Sequence, residues 1–566
     1  MAKITIPFDP VRDPARRAAY RAAGFWNDET LGDWLARHAA ARGNHVALRL
    51  GNTAWTYAQV AEQTARLANA LTALGIAKGD VVAVQLPNTP QFIFSYFAIA
   101  SIGAVMQTVH MPYRAPDIEV LLAHSGAVAA ICLDQAKDYA AAETLLALRA
   151  KLPQLRAVIV SGDQVPAGAH SLPAIAAAAS ATLPRIALTG EDAFLLLYTS
   201  GTTSSPKGVP HAYQDFLANA RLSAAALDVT PNDLLLSAAP FTHLYGLFAI
   251  NMALAVGASV ALLPVFSPPA LADAIRVMRP TIGFTAPAHI AACMNAGWFK
   301  DLDLACFRYV QISGSAVPPA LARSFEPLLK GGKVMQLWGM TELQAGAYTR
   351  LTDSETVRME STGATSPGTE LRVVDSAGAP VATETEGELQ MRGPSLFAGY
   401  LNNDAATRAA FAPDGWFKTG DLAARDAAGN VRLTGRVKDI INRGGIKFNP
   451  LDIEALLLQH PAIAEVAVAP VPDAVLGEKA CAFVVLKPGA ALDLDGAREF
   501  LAARKVAKLT WPEQIEIVNV MPVTPTRKII KGQLVAALLA RTQSSRQQLP
   551  GFDGDQIETD RIESEQ

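Results

Sequence analysis

The chain has 566 residues, of which 50% are hydrophobic and 18% charged. This composition can fill a sizeable core and excludes a chain that is disordered throughout. The length exceeds one ordinary core, so we predict one large multilayer domain and at least one further domain. The 49 basic and 52 acidic side chains give a net charge of −3. Because there is no basic excess, we expect no nucleic-acid partner.

The apolar stretches of this sequence are too short to cross a membrane. The two longest, residues 92–106 and 250–265, fall short of the roughly 20 residues that span a bilayer, so we interpret both as buried core segments. Residues 1–17 contain charges and prolines where a signal peptide needs an apolar run. The four cysteines form no CxxC pair, which favours reduced thiols over disulfides or a zinc site. We therefore expect a cytoplasmic protein without a membrane span.

The chain from about residue 45 to 340 alternates short β-branched runs with longer Ala- and Leu-rich segments. Residues 81–86 are typical of a buried strand, and residues 90–102 are typical of a helix with proline in its first turn. The same strand pattern returns at residues 127–133, 258–263, 281–286, 309–314 and 334–339. This alternation predicts an α/β fold with largely parallel, buried sheets.

The pattern changes after about residue 365. Gly, Asp and Asn become frequent, and predicted strands such as 370–375 and 386–392 follow at short intervals, which indicates a small antiparallel sheet or barrel. A domain boundary is predicted near Gly435. Beyond it, two predicted helices and three strands make a compact α+β unit of roughly a hundred residues. The segment 541–566 is rich in Gln, Ser and acidic residues and is predicted to be a disordered tail.

A loop of small and hydroxyl residues follows the apolar run 195–198. It contains Thr199, Ser200, Gly201, Thr202 and Thr203 and continues to Pro206 and Lys207. Small residues let successive backbone N–H groups face an anion, and the hydroxyls and the lysine add donors and a cation. The loop therefore suits a polyphosphate, although its spacing is not that of a Walker A loop. Taken alone, the pattern leaves a flexible Ser/Thr-rich surface turn as a serious alternative.

Three further segments place charged side chains at predicted strand ends or turns. Glu342 follows an apolar strand and the aromatic Trp338, and carboxylate oxygen is a ligand that Mg²⁺ prefers. Asp421 stands in a glycine turn, where a carboxylate can accept hydrogen bonds from vicinal hydroxyls. Near the end, a Pro/Thr loop carries the cations of Arg527 and Lys528. The alternatives are a buried core residue for Trp338, a turn-forming aspartate for Asp421 and a solvated basic turn for the Pro/Thr loop.

These segments, in this order and at these separations, resemble the adenylate-forming superfamily of acyl-CoA synthetases, peptide-synthetase adenylation domains and luciferases. The resemblance covers about residues 30–540 and points to the carboxylic acid–CoA ligase branch. The matching elements are Tyr198-Thr-Ser-Gly-Thr-Thr with Pro206-Lys207-Gly208, Thr341-Glu342, Thr419-Gly420-Asp421, Gly435-Arg436 and the C-terminal Lys528. The resemblance implies that a carboxylate attacks the α-phosphate of ATP, and that a thiol, usually that of CoA, then displaces AMP from the acyl-adenylate.

The resemblance also implies roles for single residues, with ATP, Mg²⁺ and CoA as the small molecules bound. Glu342, with Thr202, would position Mg²⁺, and Lys528 would bridge the acyl carboxylate and the α-phosphate. Three groups of residues would hold the nucleotide. The pyrophosphate would contact Thr199, Ser200, Gly201, Thr202, Thr203 and Lys207, and the ribose would contact Asp421 with Arg436. The adenine and the mouth of the acyl pocket would be lined by Gly314, Ser315, Ala316, Trp338, Gly339, Met340 and Thr341.

The small C-terminal domain of family members rotates between the two half-reactions, and Lys438 matches the hinge. The rotation would bring Gly444, Gly445 and Lys447 to the cleft, where missing side chains would leave a slot for the pantetheine arm of CoA. The alternatives are a plain hairpin turn for Gly444 and Gly445 and a solvent-facing side chain for Lys438. We predict an N-terminal adenylation domain of parallel-sheet α/β subdomains and a small β-rich subdomain, then a mobile α+β lid domain. The predicted boundaries are 1–434, a hinge at 435–438, the lid at 439–540 and the tail at 541–566.

The acyl pocket is predicted from the segment Pro240–Gly246, which matches the border of the acyl site in the family. His243, Leu244, Gly314 and Gly339 would line it. His243 would approach the substrate carboxylate or gate the pocket, and a structural histidine is an equal alternative. Relatives acting on 2-hydroxybenzoates carry Asn after this histidine, whereas Leu244 offers no donor to an ortho hydroxyl. We therefore expect an apolar alicyclic, aromatic or medium-chain acid.

Four functions remain open at this point. The leading hypothesis is a carboxylic acid–CoA ligase, and the second is a stand-alone adenylation enzyme that loads a carrier-protein thiol. The third is a luciferase-type oxidoreductase that uses O₂ after adenylation. The fourth is a non-catalytic nucleotide-binding member, which the retained Lys528, Glu342 and Asp421 argue against. The oligomeric state is open as well, and a homodimer is compatible with the sequence.

Overall fold

The computed structural model describes residues 4, 14–136, 139–199, 206–473, 475–524 and 528–547, without the side chains of 543–547. The chain divides into two compact units, one comprising 1–438 with 523–528 and the other 439–522 with 529–566. The predicted domain boundaries and the hinge at Lys438 stay predictions.

The described residues form four β-sheets. The strands, in chain order, are β1 (Val46–Leu50), β2 (Thr53–Thr56), β3 (Val81–Gln85), β4 (Val105–Thr108), β5 (Ala129–Leu133), β6 (Ala157–Ser161), β7 (His170–Ser171), β8 (Ala193–Thr199), β9 (Lys207–Ala212), β10 (Leu234–Ser237), β11 (Ser259–Ala261), β12 (Ile282–Thr285), β13 (Tyr309–Ile312), β14 (Lys333–Met340), β15 (Gln344–Tyr348), β16 (Ala364–Thr365), β17 (Glu370–Val374), β18 (Gly387–Arg392), β19 (Phe417–Arg425), β20 (Val431–Arg436), β21 (Ile441–Arg443), β22 (Ile446–Phe448), β23 (Ile463–Asp473), β24 (Gly477–Leu486) and β25 (Gln514–Ile517).

Helices connect most of these strands. The α-helices, in chain order, are α1 (Pro14–Ala22), α2 (Leu31–Arg42), α3 (Tyr57–Ala73), α4 (Pro90–Ser101), α5 (Ala115–Ser125), α6 (Ala141–Leu148), α7 (Leu172–Ala178), α8 (Tyr213–Ala226), α9 (Leu244–Val256), α10 (Pro268–Met278), α11 (Pro287–Asn295), α12 (Pro319–Phe325), α13 (Glu355–Glu360), α14 (Asp404–Ala410), α15 (Pro450–Leu457), α16 (Leu494–Ala503) and α17 (Lys531–Gln547).

Two large, mainly parallel sheets dominate the first unit. The nine-stranded sheet has the order β16-β15-β14-β13-β12-β10-β11-β1-β2, and the seven-stranded sheet has the order β7-β6-β5-β3-β4-β8-β9. Antiparallel pairs lie at the ends of these sheets, namely β15 with β14 and β16, β1 with β2, and β8 with β9. The prediction of an α/β fold with parallel sheets is confirmed.

Helices α4 and α9 are buried around most of their circumference, as expected for helices without a polar face. Eleven of the 12 residues of α4 are buried, and so is every residue from Leu244 to Leu254 in α9. Both helices belong to one hydrophobic cluster with residues of the two large sheets. The apolar stretches 92–106 and 250–265 are therefore core segments, as predicted, except for Val265 at the end of the second, which is exposed. No helix in the described part of the chain has the length and apolar character needed to span a bilayer.

The remaining sheets are smaller. Strands β17 to β20 form a four-stranded antiparallel sheet in chain order, which confirms the prediction of an antiparallel region after residue 365. In the second unit, a five-stranded sheet has the order β22-β21-β24-β23, and β25 pairs with β24. Helices α15, α16 and α17 belong to the same unit. This unit is the small α+β domain that the sequence predicts.

The predicted start of the C-terminal tail is wrong, and the predicted tail beyond Gln547 stays a prediction. We expected a disordered tail from residue 541, but α17 continues to Gln547. Leu534 and Leu538 are buried with β23 and β24 residues such as Val471 and Phe483, so the helix has an apolar anchor from its first turns. Its polar end was misread because low hydrophobicity alone does not stop a helix that is already nucleated by packing. Residues 548–566 lie outside the described residues.

Candidate active site

The predicted phosphate loop lies between two paired strands. β8 ends at Thr199 and β9 begins at Lys207, and these two residues are partners in the antiparallel ladder. The Lys207 ammonium lies 5.1 Å from the ring centroid of Tyr400, a cation–π distance. Ser200, Gly201, Thr202 and Thr203 lie outside the described residues, so their predicted contacts with pyrophosphate, and that of Thr202 with Mg²⁺, stay predictions.

Glu342 lies in the turn that joins β14 to β15. The two strands approach closely beside this turn, because a Cβ on Gly339 would lie 2.0 Å from the carbonyl oxygen of Gln344. The Glu342 side chain is buried, and its Oε1 accepts a 2.8 Å hydrogen bond from the Tyr400 hydroxyl. The backbone oxygen of Glu342 accepts a hydrogen bond from Phe397 N at 2.7 Å. The sheet end therefore holds a buried carboxylate in a fixed position.

Burial raises the pKa of Glu342, while the Tyr400 hydroxyl and the charges of Lys207 and Arg436 act in the opposite direction. Removing a carboxylate from water disfavours its ionised form unless a cation or donors compensate. The nearby cations only partly do so, since the net shift is upward. The site is therefore one in which an additional bound cation would stabilise the carboxylate.

The residues present fit a magnesium ion. Mg²⁺ is commonly held by one or two carboxylates together with substrate phosphate oxygens rather than by a full protein cage. Glu342 supplies such a carboxylate, and its burial, which raises its pKa, favours a nearby cation. Within the described residues no group of three or more His, Cys, Asp or Glu side chains has metal-binding geometry, so Glu342 would share the ion with phosphate oxygens, water and the predicted ligand Thr202.

Asp421 is held by two neighbours within the same unit. Arg436 Nε donates to its Oδ1 at 2.6 Å, and the indole N–H of Trp338 donates to its Oδ2 at 2.9 Å. The pairing follows from the sheet, because Asp421 on β19 is the ladder partner of Arg436 on β20. The predicted ribose-binding pair is thus brought together. Trp338 is itself 6% exposed and packs in the core beneath the antiparallel sheet.

The predicted adenine segment follows β13. Gly314 adopts a φ of +95°, in the region that favours glycine. Gly314, Ser315 and Ala316 are exposed, so their side chains and backbone are accessible to a ligand. Met340 ends β14, and Thr341 follows it at the start of the turn that carries Glu342. The segment thus lies at the carboxyl ends of adjacent parallel strands, where ligands bind in open α/β sheets.

His243 is the N-cap of α9, and Leu244 is the first residue of that helix. The Nδ1 of His243 accepts a hydrogen bond from Tyr245 N at 3.2 Å, which satisfies one of the donors at the helix start. Burial lowers the pKa of His243 to about 4, so the ring is neutral at neutral pH. A neutral, capping imidazole supports a positioning or gating role better than that of a charge partner for a carboxylate.

A second histidine lies beside His243. The rings of His110 and His243 are stacked with centroids 6.3 Å apart, and His110 Nδ1 lies 2.9 Å from Thr242 Oγ1. Burial, together with the charge of His243, lowers the pKa of His110 to about 3. His110 comes two residues after β4 of the seven-stranded sheet, so the ring pair links that sheet to the loop before α9.

The C-terminal candidates lie in local turns. Gly444 and Gly445 have φ values of +56° and +93° and form the turn between β21 and β22, and the exposed Lys447 lies on β22. Lys528 N donates to Thr524 Oγ1 at 3.0 Å, and Thr524 N donates to Lys528 O at 2.8 Å. Gly444 and Gly445 thus adopt the hairpin turn that the sequence analysis gave as an alternative. A role in CoA binding stays a prediction.

The sequence analysis did not find Tyr400 or His110. Tyr400 meets Glu342 across 58 positions of the chain, and His110 meets Thr242 across 132 positions. Tyr400 directly follows Gly399 in a segment with glycines at positions 387, 393 and 399, which the sequence analysis did not single out, and His110 lies in no such pattern. The partners of both residues lie in distant segments, so only the folded chain reveals them.

Replacing Tyr400 by phenylalanine is expected to move the acid limb of the pH profile of pyrophosphate release to higher pH. The Tyr400 hydroxyl lowers the pKa of Glu342, so its loss raises that pKa and reduces the carboxylate fraction at acidic pH. On the acid limb we expect kcat/KM to fall roughly tenfold, as for the loss of one hydrogen bond to a charged group. At higher pH, where Glu342 is ionised in both proteins, the two should converge. A pH-independent loss would contradict this account.

Comparison with known proteins decides the family. The model of the AMP-binding enzyme family matches residues 35–401, and that of the AMP-binding enzyme C-terminal domain matches residues 452–528. The chain belongs to the AMP-binding enzymes. The two matches include Lys207, Glu342 and Tyr400 in the first and reach Lys528 at the end of the second, and the resemblance to the adenylate-forming superfamily is confirmed.

Relatives of known activity include both CoA ligases and carrier-loading enzymes. The chain is 32% identical to the medium-chain fatty-acid–CoA ligase of Escherichia coli strain K12, covering 95% of each chain. It is 35% identical to the salicyl-AMP ligase / salicyl-S-ArCP synthetase of Mycobacterium tuberculosis, covering 93% of this chain and 94% of the relative. A solved anthranilate CoA ligase in complex with anthranoyl-AMP superposes with a TM-score of 0.84 at 28% identity, covering 91% and 98% of the two chains. This chain is therefore similar to AMP-forming ligases over nearly its whole length.

Proposed function

We propose that this AMP-binding enzyme is an ATP-dependent carboxylic acid–CoA ligase. It would form an acyl-adenylate and pyrophosphate in the first step, and an acyl-CoA thioester and AMP in the second. The observation that carries the proposal is the buried Glu342 carboxylate, hydrogen-bonded to Tyr400, whose ring also contacts the Lys207 ammonium. A fixed anion beside a cation is the arrangement needed to hold a metal-bound polyphosphate.

The chemistry of adenylation is mainly a problem of charge and alignment. A negatively charged acid must reach the α-phosphate of an equally negative nucleotide, so the protein gains rate by neutralising charge and by aligning the attacking and leaving oxygens. When bound, Mg²⁺ supplies positive charge to the phosphate oxygens. Glu342 fixes the cation's position, Lys207 meets the leaving pyrophosphate, and the Asp421–Arg436 pair orients the ribose.

The C-terminal cation completes the proposed active site. Lys528 bridges the acyl carboxylate and the α-phosphate and so offsets the repulsion between the two anions. Two hydrogen bonds hold the backbone of Lys528 against Thr524, which fixes the base of the lysine side chain. Arg527, which stands where the family usually has glycine, lies outside the described residues. For the second half-reaction we propose that Gly444, Gly445 and Lys447 contact CoA.

The acyl pocket is proposed to lie between α9 and the carboxyl end of β13. Leu244 is buried at the first position of α9, and it offers no hydrogen bond to an ortho hydroxyl of an aromatic acid. The helix is mostly apolar, and its buried Asn251 donates to Leu247 O and to the Tyr96 hydroxyl. These features support an alicyclic, aromatic or medium-chain acid whose part next to the carboxylate is apolar.

A second candidate function is the loading of a carrier-protein thiol. The M. tuberculosis relative of 35% identity is named as such a synthetase, and the adenylation step is common to both functions. The two candidates therefore differ in the acceptor of the acyl group, and the luciferase-type alternative would require O₂ instead of a thiol.

A panel of carboxylic acids tests the proposal directly. We expect pyrophosphate release with ATP and at least one alicyclic, aromatic or medium-chain acid, and formation of the acyl-CoA when CoA is added. Acyl transfer to a phosphopantetheinyl carrier protein but not to CoA would support the second candidate. Light emission or CO₂ release without a thiol would support the luciferase-type function. Absence of pyrophosphate release with every acid would overturn the proposed adenylation.

Replacing Lys438 by proline is expected to separate the two half-reactions. Proline fixes φ near −65° and removes the backbone N–H, so a rotation about this position would be restricted. We expect one half-reaction to fall at least about tenfold while the other stays within about threefold of the wild type. Pyrophosphate release and transfer from a preformed acyl-adenylate to CoA measure the two steps. The exposed Lys487 provides a control as Lys487→Ala, and unchanged rates of both steps in Lys438→Pro would exclude the hinge.

A further inference from the structure

Gln344 has a backbone conformation that is unusual for glutamine. It follows the turn that carries Glu342, in which Leu343 N donates to Met340 O at 3.2 Å. The φ of Gln344 is +65°, in the left-handed region that residues other than glycine rarely adopt. Hairpin loops that end in a left-handed residue ordinarily carry glycine at that position. The surroundings of Gln344 must therefore offset the cost of its conformation.

The side-chain amide of Gln344 makes the contacts that offset this cost. The residue is 2% exposed, and its Nε2 donates to Asp215 O on α8 at 3.0 Å and to Ser395 O after β18 at 3.2 Å. The amide thus connects the turn to two segments that are distant in the sequence. A buried amide bonded in this way resists displacement, because moving it would leave buried donors and acceptors unpaired. The hydrogen bonds therefore hold Gln344 in a conformation that its backbone alone does not favour.

The residue after Gln344 is held from the same two directions. Asn219 of α8 is buried, and its Nδ2 donates to Ala345 O at 3.0 Å and to Ser395 Oγ at 3.2 Å. In return, Ala345 N donates to Asn219 Oδ1 at 3.3 Å. Helix α8 and the segment after β18 therefore hold the start of β15 together, at the point where the turn ends.

The segment 395–400 contacts Glu342 as well as Gln344. It provides Phe397 N, which donates to the backbone oxygen of Glu342, and the Tyr400 hydroxyl, which donates to its carboxylate. Glu342 precedes Gln344 by two positions, so the backbone of one constrains that of the other. If the Gln344 amide lost its hydrogen bonds, the turn would relax toward a less strained conformation. The Glu342 carboxylate would then change its direction.

We propose that Gln344 is a positioning residue for Glu342, and that its amide sets the affinity of the site for the divalent cation of the bound nucleotide. Groups that orient a metal ligand from behind it typically contribute roughly 10- to 100-fold to metal affinity. Glycine would adopt the same φ but would leave the turn free to move, which explains why an amide is useful at this position. This proposal rests on the proposed function, because it assumes that Glu342 meets the cation of magnesium–ATP.

Binding of Mn²⁺–ATP in the absence of an acid substrate tests the proposal without turnover. Mn²⁺ takes the same oxygen ligands as Mg²⁺, and its electron paramagnetic resonance signal reports the bound fraction. Gln344→Met removes the amide at similar volume, and we expect it to raise the dissociation constant of Mn²⁺–ATP at least about tenfold. The affinity for AMP, measured without a divalent cation, should stay close to the wild-type value. An unchanged dissociation constant for Mn²⁺–ATP, or an equal loss of AMP binding, would overturn the inference.

Gln336 on β14 provides a matched control. Its buried Nε2 also donates to two backbone carbonyl oxygens, those of Arg358 at 3.0 Å and Met359 at 2.9 Å. Gln336→Met therefore removes two hydrogen bonds of the same kind, and the melting temperatures of the two methionine variants should fall by similar amounts. Only Gln344→Met should bind Mn²⁺–ATP more weakly. Equal weakening in both variants would show that lost stability is the cause, and would refute a positioning role.

Gln344→Asn separates the amide from the backbone conformation. Asparagine adopts the left-handed region more readily than glutamine does, but its amide is one methylene shorter and cannot reach both carbonyl oxygens. We expect this variant to bind Mn²⁺–ATP as weakly as Gln344→Met. Wild-type affinity in Gln344→Asn would show that the position needs only a tolerant backbone, and would exclude the proposed role of the amide. Failure of the wild-type protein to bind Mn²⁺–ATP would overturn the proposed function as well.

Discussion

Replacement of Lys528 by alanine is expected to abolish adenylation while leaving the second half-reaction intact. The proposed role of Lys528 is to offset the repulsion between the acyl carboxylate and the α-phosphate, and that repulsion exists only in the first step. Loss of one preorganised charge or donor typically costs about 3–4 kcal/mol in the barrier, so we expect a loss of at least about 100-fold in pyrophosphate release. The variant should still convert a preformed acyl-adenylate and CoA into the acyl-CoA.

The control for this variant is a lysine of the second compact unit. Lys487 is exposed, and Lys487→Ala removes one positive charge without touching the Thr524–Lys528 turn. Both half-reactions should proceed at wild-type rates in this control. Near-normal pyrophosphate release by Lys528→Ala would refute the assignment, and an equal loss in both half-reactions would show that the substitution disturbs the fold of the loop instead.

Replacement of Glu342 by glutamine is expected to lower activity without lowering stability. The amide has the shape of the carboxyl group but no charge, so it cannot anchor a divalent cation. We expect kcat/KM for pyrophosphate release to fall about 100- to 1,000-fold at every Mg²⁺ concentration. Burial raises the pKa of Glu342, which means that the ionised side chain is costly in the folded protein. Removing the charge should therefore keep the melting temperature unchanged or raise it.

The combination of the two measurements distinguishes the proposed role from a structural one. If Glu342 served mainly to hold Tyr400 and the turn, the substitution would lower the melting temperature together with the activity. The control Glu360→Gln removes an exposed carboxylate that pairs with Arg323, and it should change neither quantity appreciably. Activity of Glu342→Gln within about threefold of the wild type would contradict a metal-anchoring role.

The predictability of the fold differs between its parts for a physical reason. Strands such as β3 and helices such as α4 carry their own signals, since a continuous β-branched run and a proline in the first turn act over a few residues. The predicted limits 81–86 and 90–102 differ from the observed Val81–Gln85 and Pro90–Ser101 by one residue. The end of α17 was mispredicted because its stability comes from Leu534 and Leu538 packing on distant strands.

The residues of the candidate site were likewise predictable from the sequence only in part. Glu342, Asp421 and Arg436 were predicted from motifs, and the pairing of Asp421 with Arg436 follows from neighbouring strands of one antiparallel sheet. The hydrogen bond of Trp338 to Asp421 joins residues 83 positions apart and was not predicted. Tyr400 and His110 were missed for the same reason, because their partners lie far away in the chain.

The sequence by itself determined the family, the α/β class and the identity of the charged groups, because each of these depends on residue types at short spacings. Only the tertiary structure decided which groups are buried and which meet. Burial sets the raised pKa of Glu342 and the lowered pKa of His243, and hydrogen bonds to Asp215 O and Ser395 O hold Gln344 in its left-handed conformation. Desolvation and hydrogen bonding depend on surroundings that the folded chain assembles from distant segments, so no local pattern contains them.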